Sequence, residues 1–142
     1  MKIYIASDHA GFGIKAEVTG ILREKECEVV DLGTKSDARV DYPDFAHILC
    51  EAVLKDSGSF GVLICGSGIG MSMCANRHEG IRAALCHDAY TAKMARAHNN
   101  ANVLCFGERV VGLGVIKSMI EAWLSEPFEG GRHADRVKKI EI

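Results

Sequence analysis

The sequence predicts an α/β fold: a three-layer α/β/α sandwich built on a five-stranded parallel sheet. Three observations carry that expectation. Short apolar stretches alternate with helix-length amphipathic segments along the whole chain. Proline occurs only twice, and no repeat, low-complexity tract or linker interrupts the alternation. At 142 residues, 48% hydrophobic and 25% charged, the chain has the size and balance of one domain with its own core. Such alternation buries a parallel sheet under helices on both faces, with right-handed crossovers.

Each element follows from a local pattern. KIYIAS (Lys2–Ser7) reads as a buried first strand. In FGIKAEVTGILREK, the residues Ile14, Val18, Ile21 and Leu22 fall near helical spacing and predict an amphipathic helix. EVVDL (Glu28–Leu32) is the second strand, and the polar stretch GTKSDARVDYPD is a loop. Pro43 suits the first turn of a helix that runs to Lys55. GVLIC (Gly61–Cys65) is the third strand, feeding a glycine turn and a helix to about Asn76. IRAALC (Ile81–Cys86) is the fourth strand, after which Asp88 is placed to cap a helix to about Ala97. NVLCFG (Asn102–Gly107) is the fifth strand. VIKSMIEAWLSE is a helix, and GGRHADRVKKIEI is a basic tail that begins helical. The result is one Rossmann-like domain over residues 1–142.

Bulk properties exclude several classes. A formal net charge of −2 gives no reason to expect nucleic acid or a membrane surface as partner. The chain opens directly into a strand, without a basic and apolar leader, and no apolar run reaches about 18 residues. The expected location is therefore the cytoplasm. Six cysteines (27, 50, 65, 74, 86 and 105) include no C-x-x-C pair, and no histidine pair has zinc-finger spacing. They read as small buried hydrophobes, with Cys65 set apart by its neighbours.

Ligands of open parallel sheets sit at the carboxyl ends of the strands. Three polar clusters fall there: Ser7-Asp8-His9, Gly66–Gly70 and Gly107-Glu108-Arg109. In CGSGIGM the glycines Gly66, Gly68 and Gly70 alternate. A dinucleotide fingerprint needs glycine at position 71, and a C-x5-R thiol phosphatase needs arginine there; Met71 excludes both. No Gly-Lys-Ser/Thr follows, so it is not a P-loop. A turn opening a helix remains, either binding an anion through its N–H groups and dipole or serving only as a tight turn. Cys65 at the mouth of that turn is favoured as thiolate, and is either a nucleophile or a base. A base facing a ring of N–H donors suits proton abstraction next to a carbonyl.

The remaining constellations have two readings each. Asp8 and His9 either serve a substrate or cap the next helix with a bystander. His98, before Asn99, sits where a helix C-terminus stabilises its protonated form, so it is either only structural or functional. Arg132 and Arg136 share one face if helical, and either grip a phosphate or form a solvated basic tail. The methionines and Trp123 read as core. The aspartate, histidine and cysteine candidates weighed above lack the short i, i+3 or i, i+4 spacings that make a metal signal strong, so no catalytic metal is expected.

Taken together, SDHAG, DYPDFA, CGSGIGMSMCANR, GIRAAL, ARAHNNANVLCFGERVVG, AWL and FEGGRHADRV resemble, in order, the ribose-5-phosphate isomerase B family. The galactose-6-phosphate and allose-6-phosphate isomerases share its framework. The resemblance implies an aldose–ketose isomerase that uses a cis-enediol and needs neither metal nor cofactor. It implies Cys65 as the base between C1 and C2, with Ser67 beside it. The N–H groups of Gly66, Ser67, Gly68, Ile69 and Gly70 would hold the enediolate. His98 would open the sugar ring, with Asp8 on the sugar, while His9, Arg132 and Arg136 hold the phosphate and Arg109 assists. Asn99 would bond the substrate and Tyr42 would line the pocket. The resemblance also implies a homodimer or dimer of dimers with shared sites. His98, Asn99 and Arg109 would then reach in from the partner, and the tail from about 128 to 142 would pack on it. Many members have threonine where this chain has Ser67, and serine keeps the hydroxyl. Members that lack the cysteine use a glutamate further along the loop helix; GMSMCAN here has no acid, which leaves Cys65. The rival readings are a hexose-phosphate isomerase, a non-catalytic sugar-phosphate-binding module and a thiol-nucleophile hydrolase.

Overall fold

The computed structural model describes residues 1–142. Five strands form one parallel sheet in the order β2-β1-β3-β5-β4. They are β1 (Lys2–Ser7), β2 (Glu28–Asp31), β3 (Phe60–Cys65), β4 (Ala83–Leu85) and β5 (Val103–Gly107). The helices are α1 (Phe12–Glu24), α2 (Tyr42–Lys55), α3 (Ile69–Ala75), α4 (Ala89–Ala97), α5 (Leu113–Ser125) and α6 (Arg132–Lys138).

Alternation along the central strands divides the core in two. Ile3, Ile5, Val62, Ile64, Leu104 and Phe106 face α1, α4 and α5, where Val18, Leu22, Ala92, Ile116, Met119 and Trp123 meet them. Ala6, Leu63, Cys65, Val103 and Cys105 face α2 and α3, where Leu49, Cys50, Val53, Met71 and Ala75 close the opposite layer. The three-layer sandwich is therefore present. Steps toward β2 pass under the α1/α4 face, and steps toward β4 pass under the α2/α3 face. Every crossover thus has the same hand.

Most boundaries agree with the sequence reading to within two residues. β4 is shorter than the expected Ile81–Cys86 because competing bonds take its ends. The Ile81 N–H donates to His78 O, and the Arg82 N–H donates to Asn102 Oδ1 at 2.8 Å. Asp88 caps α4 as expected: its Oδ1 accepts from the Thr91 N–H at 2.7 Å, and Thr91 Oγ1 closes the capping box. Asp8 does not cap α1, whose N-cap is Gly11. Its carboxylate instead accepts from the N–H groups of Ala10 (3.0 Å) and Gly11 (3.1 Å), bracing the turn ahead of the helix.

One buried charge anchors the segment that leads toward the site. Lys15 on α1 is 3% exposed, and its Nζ donates to Asp31 Oδ1 at 2.8 Å and to Thr34 O. This ties α1 to the end of β2 and to the loop that reaches Val40. No helix is long and apolar enough to cross a membrane.

Candidate functional site

The chain turns back on itself between β1 and β3: β2 lies outside β1 on one side, and β3 opens the other half of the sheet. Parallel sheets form a crevice at such a point. Here a cleft of about 350 Å³ is lined by Asp8, His9, Tyr42, Cys65, Gly66, Ser67, Gly70 and Arg109, with Ala10 and Val110. Eight of the residues singled out from sequence therefore meet in one place.

The glycine loop has a conformation that side chains would prevent. Gly68 is the N-cap of α3 with φ of +79°. A Cβ there would lie 2.6 Å from Leu85 Cδ1 and 2.7 Å from the Phe106 carbonyl carbon. At Gly70 a Cβ would stand 2.6 Å from the Tyr42 ring, so Tyr42 lies directly against the loop. The Gly68 N–H donates to Cys65 Sγ at 3.1 Å, and the Ile69 N–H donates to Ser67 Oγ at 3.2 Å. The N–H groups of Gly66, Ser67 and Gly70 find no acceptor within the chain.

Cys65 ends β3 and is 5% exposed. It differs from the other cysteines by its N–H donor and its place at the cleft. Burial pushes Cys50 up to about 12 and Cys86 up to about 11, and pushes Cys105 well above the ordinary thiol value. Cys27 and Cys74 are raised by the same cause. These five are poor thiolate sources, as the hydrophobe reading requires.

His9 follows Asp8 on the β1–α1 turn. Its Nδ1 accepts from the Val40 N–H at 3.3 Å, so the ring's Nε2 carries the proton and remains a donor. Arg109 lies beside its own chain's loop. Its N–H donates to Gly66 O at 3.0 Å, and its Nη1 lies 3.0 Å from where a Gly66 Cβ would stand. The expectation that Arg109 reaches in from a partner therefore does not fit its position.

Four expected residues lie elsewhere. α4 carries the chain from the carboxyl end of β4 back to the amino end of β5, so His98 and Asn99 fall at the opposite edge of the sheet from Cys65. Asn99 lines a separate depression with Asn76, Arg82, Ala83, Ala84, Ala101 and Ile140. Arg132 and Arg136 do lie on one short helix, α6, and both are exposed. The Glu129 N–H, donating to Ala97 O at 3.0 Å, pins the start of that segment to the end of α4.

Two residues beside His98 were not singled out from sequence. The His98 and His133 rings stack in parallel, 4.1 Å apart with an interplanar angle of 6°. Glu129 spans both: one oxygen is 3.5 Å from His98 Nε2 and the other 3.7 Å from His133 Nε2. Desolvation first, then the nearby His98, hold the His133 imidazole below its ordinary value; Glu129 opposes this, and Arg132 and Arg136 add to it. The Glu129–His133 spacing of four residues was visible in FEGGRHADRV. That His98 joins them depends on a tertiary contact.

The chain resembles known proteins over almost its whole length. The Ribose/Galactose Isomerase family profile matches residues 3–140. Ribose-5-phosphate isomerase B of Escherichia coli (strain K12) is 47% identical over 139 residues, covering 98% of this chain and 93% of the relative. Among solved structures, Clostridium thermocellum ribose-5-phosphate isomerase B superposes with a TM-score of 0.96 at 48% identity, covering 99% of this chain and 95% of that one. The type B ribose 5-phosphate isomerase of Trypanosoma brucei superposes with a TM-score of 0.95 at 48% identity, covering 99% and 96%.

Proposed function

Because the chain belongs to the ribose/galactose isomerase family, we propose that it interconverts ribose 5-phosphate and ribulose 5-phosphate through a cis-enediol. The observation that carries this reading is the cleft itself. A cysteine with an N–H donor on its sulfur stands at the head of a loop with three unpartnered N–H groups. A donor aimed at the sulfur interacts more strongly with thiolate than with thiol. In this reading Cys65 takes the proton from C2 of the aldose and returns it at C1 of the ketose. The charge that develops on the sugar oxygens is held by the N–H groups of Gly66, Ser67 and Gly70. Those of Gly68 and Ile69 serve the loop, which narrows the five donors expected from sequence to three.

The other roles follow from position. Asp8 keeps one carboxylate oxygen on the Ala10 and Gly11 N–H groups and has the second for sugar hydroxyls. His9, through its Nε2–H, and Arg109 face the phosphate end. Tyr42 walls the cleft over Gly70. His98, Asn99, Arg132 and Arg136 cannot reach their own chain's Cys65 from the far edge of the sheet. A second copy brings its far edge to this cleft, supplying His98 as the ring-opening acid, Asn99 as a substrate partner and the two arginines as a phosphate clamp. The assembly is then a homodimer or dimer of dimers, with the 128–142 tail packed on the neighbour. The setting is the non-oxidative pentose phosphate pathway of the cytoplasm.

The test is ketose formation from ribose 5-phosphate by the purified protein, beside allose 6-phosphate and galactose 6-phosphate. Fastest turnover of the pentose supports the reading. Preference for a hexose reassigns the substrate. Binding without turnover of any sugar phosphate leaves only the binding-module alternative.

A further inference from the structure

We propose that His98, Glu129 and His133 form a zinc(II) site whose occupation switches the enzyme off. The ligand atoms of the three side chains lie within 4.8 Å of one another. The two imidazole–carboxylate separations, 3.5 and 3.7 Å, are too long for hydrogen bonds. They are close to the spacing of neighbours in a metal shell: with bonds of about 2.1 Å, tetrahedral zinc holds its ligand atoms about 3.4 Å apart. Two imidazoles and one carboxylate form a donor set that zinc takes with a fourth position left open.

The backbone holds the three ligands together. His98 is the C-cap of α4, and Glu129 is tied to the preceding residue, Ala97, by a 3.0 Å backbone bond. His133 follows Glu129 by four residues in the first turn of α6. In the single chain His98 is 41% exposed and Glu129 50%, whereas His133 is 12% exposed and forms the floor; in the proposed dimer His98 faces the partner's cleft, and an ion enters through that cleft. Arg132 and Arg136, on the same helix as His133, oppose a cation, and the Glu129 carboxylate offsets them. A nitrogen lone pair lies in the ring plane, so the stacked rings must tilt apart to share one ion, and His98 has open space on its exposed side. Zinc, with no d-electron preference for geometry, tolerates the adjustment.

The consequence for activity rests on the proposed role of His98. Zinc on His98 Nε2 takes the place of that nitrogen's proton and holds the ring against Glu129 and His133, so the occupied chain cannot offer Nε2 as an acid in its partner's cleft.

Binding is measured first, with Zn²⁺ alone and no sugar. The Cys65→Ala protein is used, to remove the loop thiol. Calorimetry should show one tight zinc per chain. Loss of a direct ligand costs at least the about 10–100-fold that an outer partner costs, so His133→Gln and Glu129→Gln should each weaken binding by about 100-fold. Co²⁺ in the same site should show no sulfur-to-cobalt charge-transfer band. Activity is measured second. Zinc should inhibit the wild type, and His133→Gln should need about 100-fold more zinc for the same fractional inhibition, each protein being compared with its own metal-free rate. Unchanged zinc affinity in both ligand variants overturns the site. So does a sulfur band, which would move the ion to the neighbourhood of Cys74, whose Sγ lies 3.5 Å from His47 Nε2. Tight zinc at the site with full isomerase activity overturns the switch. The binding result stands or falls without any sugar, so failure of the isomerase reading leaves it intact.

Discussion

Replacing Gly68 by alanine tests whether the loop geometry is required. The residue has φ of +79°, and a Cβ would lie 2.7 Å from the Phe106 carbonyl carbon and 2.9 Å from its Cα. The left-handed conformation costs an alanine about 1–2 kcal/mol. The contact is with backbone of the central strand β5, which cannot swing away, and overpacking of that kind costs about 1–3 kcal/mol. The sum is about 2–5 kcal/mol, and at about 3–5 °C per kcal/mol for a domain of this size the melting temperature should fall by about 6–25 °C. A thermal melt followed by far-ultraviolet circular dichroism reads this directly, and isomerase rates should fall because the displaced N–H is the one on Cys65 Sγ. The built-in control is Gly20→Ala, in the interior of α1, where an added Cβ meets nothing within 4 Å. That substitution should stabilise by about 0.5–1 kcal/mol. A Gly68→Ala protein that melts within about 2 °C of wild type with full activity would refute the reasoning.

Lys15→Ala should destabilise, since it strands Thr34 O and one side of Asp31. The half-exposed Asp31 lowers the expected loss to about 1–3 kcal/mol, read from the urea midpoint. Thr91 hydrogen bonds hold the Asp88 carboxyl below the usual carboxylate range. Its contribution is present above the unfolded value of about 3.9 and is lost as pH falls through the lower folded value. The melting gap between wild type and Asp88→Ala should therefore be full at neutral pH and close in strong acid. Cys65→Ala and His98→Gln, each inactive alone, should regain about a quarter of wild-type activity when dissociated and reassociated together as dimers. No recovery would place His98 outside the partner's cleft.

The layers of this fold are legible in sequence because the central strands are near-continuous apolar runs and the helices are amphipathic. Strand order is not, because nothing local in Ile81–Cys86 says that β5 will pair on both sides and leave β4 at the edge. Cys65, Asp8, His9 and Arg109 could be placed together, since all lie just past the carboxyl ends of strands. The separation of His98 and Asn99 from that cluster was implicit in their position after a helix, at the edge to which every crossover returns. The resemblance implies roles for them, and if the proposed roles hold, their place at the far edge of the sheet calls for a second copy. Glu129 and His133 escaped notice because their meeting with His98 depends on how the tail folds back on α4.

The central claim is that Cys65 moves the proton between C1 and C2, and the most direct measurement is turnover of ribose 5-phosphate deuterated at C2. Wild-type protein should turn it over more slowly than the unlabelled sugar and release label to solvent. Cys65→Ala should bind the sugar phosphate with little change and lose the base's contribution, a fall of about 10²–10⁴-fold in kcat, with no release of label. Label release from Cys65→Ala at a rate within tenfold of wild type would contradict the account and send the search for the base elsewhere in the cleft.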